Sequence, residues 1–357
     1  MKTNTNTGET CMTLTSKAIR TLGSAAMLAL MSQGAAAEGK LNLYNWGDYI
    51  NPELIDAFSK EFGVEVTLDT YSTNEEMLAR IQAGAAGYDL VWPSVHMHDI
   101  MQQLGLLQPA NPNQMPGWEN IDPAALRSQA DPNGDYCMPY AWGAVGIFYN
   151  KKLIPELKSW DEFFAYANAN PGKVTMLDDL RETLGVGLIM TGSSVNSRNP
   201  DEIAKAEAFI AEQVPNIGAL RYDVIPLVTS GDIAAGHYYV GAVLNVLQDP
   251  ENLGFVIPAE GATMYQEDIC MLASAPNVEN AKLFMQFMMR PESAARNAER
   301  LTNGTVNTAA LDLLPENLRS NPSINPPAEV RAKLQIFEDL GKDLRLYTKA
   351  WDRIKTN

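Results

Sequence analysis

The sequence predicts an α/β protein of two lobes with a ligand held in the cleft between them. Three observations lead there. Strand-like runs alternate with helical stripes at the lengths of parallel strand–helix–strand units. The chain has 357 residues, 46% hydrophobic, which is enough for two cores, and no Gly/Ser-rich tract divides it. Two strand-like stretches, 140–143 and around 266–271, are placed to cross between the lobes.

The elements follow in order. Lys17 and Arg20 precede an apolar run over 22–31, and Ala35-Ala36-Ala37 offers a small-residue exit before Glu38. That is the pattern of a secretory signal peptide, residues 1–37, so the mature chain is expected in the periplasm. The apolar run is roughly half of the ~20 residues a spanning helix needs. Met12 is an alternative start, and Cys11 lies before the apolar run, where no lipid-attachment cysteine sits.

Residues 41–46 alternate like a strand. Asn51 offers an N-cap and Pro52 suits the first helical position, with Leu54, Ile55, Phe58 and Phe62 on one face and Gly63 as the stop. Residues 64–68 read as a second strand. Ser72 and Glu75 have capping-box spacing before the stripe Met77, Leu78 and Ile81. A third strand over 88–92 ends at Pro93-Ser94. Further on, 174–177 reads as a strand and 201–214 and 278–289 as helices, the latter with Ala281, Phe284, Phe287 and Met288 on one side.

Charge and chemistry narrow the function. Lys+Arg 27 against Asp+Glu 43 gives a net charge of −16, which argues against nucleic acid as a partner. No dinucleotide fingerprint, phosphate loop, nucleophile elbow or HExxH motif is present. His96-x-His98 lacks a cysteine cluster or a usefully spaced third histidine, so no metal site and no cofactor are expected. Asp131-Pro132-Asn133-Gly134-Asp135 begins like a calcium loop, but Trp142 stands where the bidentate Glu belongs, leaving a surface turn. Cys137 and Cys270, both in strand-like segments, are either one disulfide or two buried thiols. Binding is favoured over catalysis.

The cleft residues come from strand ends, the usual ligand edge of a parallel sheet. Trp46, Asp48 and Tyr49 follow the first strand, Ser94 the third, and Asp179 and Glu182 the strand over 174–177. Trp46 and Tyr49 suit a ligand wall or packing under the sheet edge. Asp179 and Glu182 suit a cationic ligand or the positive end of a helix.

At these residues the chain resembles the periplasmic spermidine/putrescine-binding proteins, solute receptors of bacterial polyamine ABC transporters. The runs YNWGDY at 44–49, YDLVWPS at 88–94, DPNGDYCMPYAWG at 131–143 and LDDLRE at 177–182 carry the resemblance. NPSINPPAEVRAKL at 321–334 resembles the putrescine branch in particular. The likeness spans essentially the whole mature chain. It implies the type II periplasmic-binding-protein fold, with one lobe from 38–143 and 266–310 and the other from 144–265 and 311–357.

The resemblance also implies a site. Trp46 and Tyr49 match the family's first aromatic wall, Asp48 a contact carboxylate of the putrescine branch, and Ser94 a hydroxyl ligand. Asp179 and Glu182 match two acids of the spermidine branch. Tyr265 and Glu267 match an aromatic and an aspartate past the second crossover, with either Glu267 or Asp268 facing inward. The departures are His96 for a tyrosine, Tyr239 for a tryptophan, Ala242 for a carboxylate, Asn303 for a tyrosine and Phe337 for a glutamine. His96 and Tyr239 remain in the expected ligand set.

The reading is a monomeric periplasmic receptor for a polyamine-like organic cation, delivering it to an inner-membrane ABC permease without chemistry. A polyamine-sensing subunit that signals to a membrane receptor, or a same-fold receptor for a different small ligand, are the alternatives. An exported enzyme on the same scaffold is disfavoured by the missing catalytic set.

Overall fold

The computed structural model describes residues 39–84 and 87–356, and the leader read over 1–37 lies outside them. Strand β1 (Gly39–Trp46) buries Leu41, Leu43 and Tyr44. Helix α1 (Pro52–Phe62) is capped as expected: the Asn51 side chain accepts from the Glu53 N–H, and Gly63 ends the helix at φ 68°, in the left-handed region. Strand β2 (Val64–Tyr71) runs to Tyr71, beyond the expected 64–68.

Helix α2 (Asn74–Gln82) starts one residue later than the Ser72/Glu75 spacing implied. Thr73 is the extended cap and its Oγ1 accepts from the Glu76 N–H at 3.0 Å, while the Glu76 carboxylate accepts from the Ser72 N–H at 2.9 Å. The third strand is short, β3 (Leu90–Val91) rather than 88–92. Pro93 has no N–H for the ladder, and the Trp92 carbonyl is taken by Trp46 Nε1 and the Tyr71 hydroxyl. Helix α3 (Val95–Gln103) follows at once.

The second half repeats the alternation. Strand β4 (Cys137–Asn150) leads to helix α4 (Trp160–Ala169), strand β5 (Val174–Met176), and helices α5 (Leu180–Met190) and α6 (Pro200–Gln213). Strand β6 (Ala219–Leu220), helix α7 (Val224–Ser230), strand β7 (Ala235–Tyr239), helix α8 (Val243–Gln248) and strand β8 (Leu253–Val256) come next. Strand β9 (Ala262–Met271) and helix α9 (Val278–Met288) return to the first half, and β10 (Gly304–Thr305) and β11 (Leu334–Ile336) complete the sheet.

The sheet order is β2-β1-β3-β9-β4-β7-β5-β6. Its outer groups, β2-β1-β3 and β7-β5-β6, are parallel. Between them β9 and β4, the longest strands, pair antiparallel and contain both expected crossovers. Each group has its own core. Leu41, Leu43, Phe58, Trp92 and Phe284 gather in one, and Ile147, Trp160, Phe163, Leu184 and Tyr347 in another. Burying them separately is what makes two α/β lobes out of one continuous sheet.

Two local expectations change. Cys137 and Cys270 are register partners on β4 and β9 and form a disulfide, which decides between bond and free thiols. The turn at 131–135 is not wholly a surface feature. Asp131 is buried and accepts from the N–H groups of Asp135, Tyr136 and Cys137, so its carboxylate organises the entry into β4. Among the described residues, no helix is long and apolar enough to cross a membrane.

Candidate ligand-binding site

Strand β9 organises the site because side chains alternate across a strand. Thr263, Tyr265 and Glu267 share one face. Gln266 and Asp268 share the other, where the Gln266 amide donates to Asp268 Oδ1 at 2.9 Å and His98 Nδ1 to Asp268 Oδ2 at 2.9 Å. That alternation separates the adjacent acids: Glu267 lies on the face of Thr263 and Tyr265, and Asp268 on the face of Gln266. Gly143 on β4 makes room for the ring between them, because a Cβ there would collide with the Tyr265 hydroxyl.

Glu267 is buried and accepts from the Tyr49 hydroxyl at 2.6 Å and from Ser94 Oγ at 3.2 Å. Ser94 is held by the Asn74 amide, which donates to its Oγ at 3.1 Å. Burial pushes the Glu267 carboxyl up to about 8, against the two hydroxyl hydrogen bonds and with help from Asp268. Glu182, in the first turn of α5, is buried and accepts from the Thr263 hydroxyl. Burial, and then repulsion by Asp179, push it up to about 8 as well, while the Thr263 hydrogen bond and Arg181 oppose the rise.

Among the described residues, no Lys or Arg is paired with either acid. Arg181, adjacent in sequence to Glu182, points its guanidinium to Asn196 Oδ1 at 2.8 Å and over the Phe337 ring at 4.4 Å. His237 Nε2 lies 3.9 Å from Glu182 Oε2, too far for a hydrogen bond, and complete burial lowers the imidazole pKa to about 3. The two buried acids thus have hydroxyl donors and, among the described residues, no Lys or Arg bonded to them.

Aromatic rings stand between the acids. Tyr239 and Tyr265 meet edge to face at 5.8 Å, and each is half-buried. Asn303 ties the far wall together: its Oδ1 accepts from the Tyr265 hydroxyl and its Nδ2 donates to the Tyr49 oxygen, each at 3.2 Å. Trp46 is half-buried, donates Nε1 to the Trp92 carbonyl at 2.8 Å and packs on Tyr71 at 4.7 Å.

A family model described as Bacterial extracellular solute-binding protein matches residues 53–326 of the sequence. The chain belongs to that family. The receptor is 32% identical to the putrescine-binding periplasmic protein PotF of Escherichia coli, over 96% of this chain and 99% of the relative. It is also 32% identical to a spermidine/putrescine-binding periplasmic protein of Salmonella typhimurium, over 92% of this chain and 95% of that one. The solved structure of the spermidine/putrescine ABC transporter substrate-binding protein PotD of Streptococcus pneumoniae superposes with a TM-score of 0.82 at 31% identity, covering 89% of this chain and 99% of that one. The receptor is therefore a periplasmic solute-binding protein of the two-lobed type and not an enzyme.

Not every expected residue joins the hydrogen-bonded set of this receptor. Asp48 is exposed in a left-handed turn at φ 54°. Asp179 caps α5, its Oδ1 accepting from the N–H groups of Arg181 and Glu182 at 2.8 and 3.0 Å, so the helix-terminus reading describes that oxygen. Its Oδ2 accepts from the Tyr222 hydroxyl at 3.4 Å. His96 is half-buried near Arg181 of the other lobe, and burial followed by that charge lowers its pKa to about 4. Ala242 is buried among apolar side chains. Thr263, Asn74 and the bridging role of Asn303 escaped the sequence reading. Only the even spacing of Thr263, Tyr265 and Glu267 on one strand signalled the first.

Proposed function

We infer that this receptor binds a polyamine in the cleft and, as a monomer with no part in nucleic-acid binding, delivers it to an inner-membrane ABC permease. The observation that carries the reading is the pair of buried carboxylates, Glu182 and Glu267, each hydrogen-bonded by hydroxyl groups and, among the described residues, bonded to no Lys or Arg. A buried carboxyl group either keeps its proton, as the raised pKa values imply for the ligand-free receptor, or needs a compensating charge when it ionises. An ammonium ion supplies it, and the tyrosine faces between the acids suit the methylenes and add cation–π attraction of about 0.5–2 kcal/mol per contact. The names of the relatives, which specify putrescine and spermidine, support the same class.

The proposed contact set is Trp46, Tyr49, Ser94, His96, Glu182, Tyr239, Tyr265 and Glu267, with Asp48 and Asp179 at its margin. Thr263 and Glu267 are four residues apart on β9, about 13 Å of strand. Thr263 holds Glu182, so the two acids meet this strand at separate points, which suits a ligand with more than one ammonium group. The lobes divide at 143/144, 265/266 and 310/311 in this reading; the core around Ile147 and Tyr347 lies wholly within 144–265 and 311–357, while the other core also takes Ala144, Ala262, Met264 and Leu334 from those ranges. Glu182 and Glu267 come from opposite sides, so ligand favours closure of the lobes.

Calorimetric titration of the ligand-stripped mature protein with putrescine, cadaverine, agmatine, norspermidine, spermidine and neutral controls tests the reading. Binding of at least one di- or triamine and of no neutral control is expected. Failure of every amine to bind refutes it.

A further inference from the structure

The second face of β9 carries a cluster that the amine site does not use. His98 on α3, Cys137 at the start of β4 and Cys270 near the end of β9 are all buried, and one ligand atom from each lies within 4.8 Å of the others. Along the sequence, His96-x-His98 has no cysteine cluster or third histidine at useful spacing. The antiparallel pairing brings two cysteines, from opposite ends of a 133-residue separation, to a Cα–Cα distance of 4.4 Å.

Three further features fit a cation. His98 Nδ1 donates to Asp268 Oδ2 at 2.9 Å, the arrangement in which a carboxylate orients an imidazole and leaves its other nitrogen for a metal. That other nitrogen, Nε2, is buried with no hydrogen-bond partner. Beside it lies a cavity of about 10 Å³ bordered by Asp131, whose Oδ2 is 3.9 Å from Nε2. A void of that size holds about one water or one ion.

We propose that reduction of the Cys137–Cys270 disulfide converts this cluster into a thiophilic metal site, with both sulfurs and His98 Nε2 binding one Zn²⁺. Water or Asp131 Oδ2 completes a tetrahedron, and Asp268 is the positioning residue. The reductant is a dithiol, which passes two electrons and two protons to the disulfide and leaves as its own cyclic disulfide. Zn²⁺ then replaces the two thiol protons and any proton on Nε2. Zinc takes thiolate sulfur at about 2.3 Å and imidazole nitrogen at about 2.0–2.1 Å, so side-chain rotations inside the present cluster suffice. Either bond would hold β4 to β9: a disulfide under oxidising conditions, a metal before the thiols are oxidised.

The test uses the mature protein reduced with a dithiol, freed of reductant anaerobically and titrated with Co²⁺ as the spectroscopic probe. One equivalent is expected to bind with thiolate-to-cobalt charge-transfer absorption, and Zn²⁺ is expected to bleach it. The oxidised protein should show none. Asp268→Asn should weaken binding by about 10–100-fold, and His98→Gln should shift the ligand-field bands. Absence of charge-transfer absorption in the reduced protein overturns the proposal, as does a spectrum unchanged in His98→Gln. Because a variant can fail to fold, alkylation of the reduced parent protein is the second measurement. Zn²⁺ is expected to slow modification of Cys137 and Cys270 at least about tenfold, and equal rates with and without it overturn the proposal.

Discussion

Glu267 and Asp268 are consecutive acids on one strand, both buried, and they live in opposite electrostatic worlds. Asp268 has an imidazole at 2.9 Å and an amide beside it. Glu267 has only the hydroxyls of Tyr49 and Ser94. An acid with its own cation is a structural group. An acid kept dry without one holds its proton to higher pH and, in the proposed reading, gives it up when an ammonium ion arrives. Glu182 repeats the second arrangement on the opposite lobe, with the available arginine turned to Asn196 and Phe337.

Removing the unmatched acids should have the largest effect on binding. Glu182→Gln and Glu267→Gln each take away one partner of a buried charge pair in the liganded receptor, worth about 3–5 kcal/mol. Amine affinity should fall at least about a hundredfold in each, read by calorimetry. Unchanged affinity in either variant would show that no ammonium sits at that acid.

Asp268→Asn should separate the two kinds of acid. Leaving His98 without its carboxylate should destabilise the fold by about 3 kcal/mol in chemical denaturation, with less than about a tenfold change in amine affinity. A loss of affinity as large as that of Glu267→Gln would erase the distinction.

A smaller effect follows from pH. Folding raises the pKa of Glu182 and Glu267 from 4.5 to about 8, so between about pH 5 and pH 8 the native state holds more protons than the unfolded one. Stability contributed by these groups is then greatest at acid pH and is lost as pH rises through that window. The thermal midpoint of the ligand-free receptor should fall from pH 5 to pH 8, and the increase produced by saturating amine should grow over the same range. Glu182→Gln should flatten both slopes. Identical slopes in variant and parent would place the pH dependence elsewhere, His98 being the first alternative since its raised pKa acts with the same sign.

The smallest change is expected at Glu61, an exposed acid paired with Arg290 at 2.8 Å. Glu61→Gln should cost about 0–1 kcal/mol of stability and leave amine binding unaltered in calorimetry. A larger loss of affinity would mean that the lobe surface, and not the cleft, governs binding.

Local order was legible where one residue settles a local choice. Asn51, Pro52 and Gly63 bounded α1 correctly because caps and left-handed stops depend on neighbours a few residues away. The capping box slipped by one residue, to Thr73 and Glu76, because Ser72 and Thr73 both offer a hydroxyl and each has a glutamate three residues on. The third strand was overread because its backbone groups at 92 and 93 are engaged by other elements.

The sequence by itself determined the alternation of strands and helices, the acidic composition, the long central strands and, through resemblance, the receptor family and the residues proposed for the cleft. Tertiary structure decided that Glu267 and Asp268 lie on opposite faces of β9 with different partners, and that Asn303 bridges two tyrosines. It also decided that Cys137 and Cys270 meet and that His98 lies against them. The reason is range. Periodicity and capping act within a few residues, whereas these contacts are made across the β4–β9 register and between strands and helices far apart in the chain, where only the packed sheet sets which side chains meet.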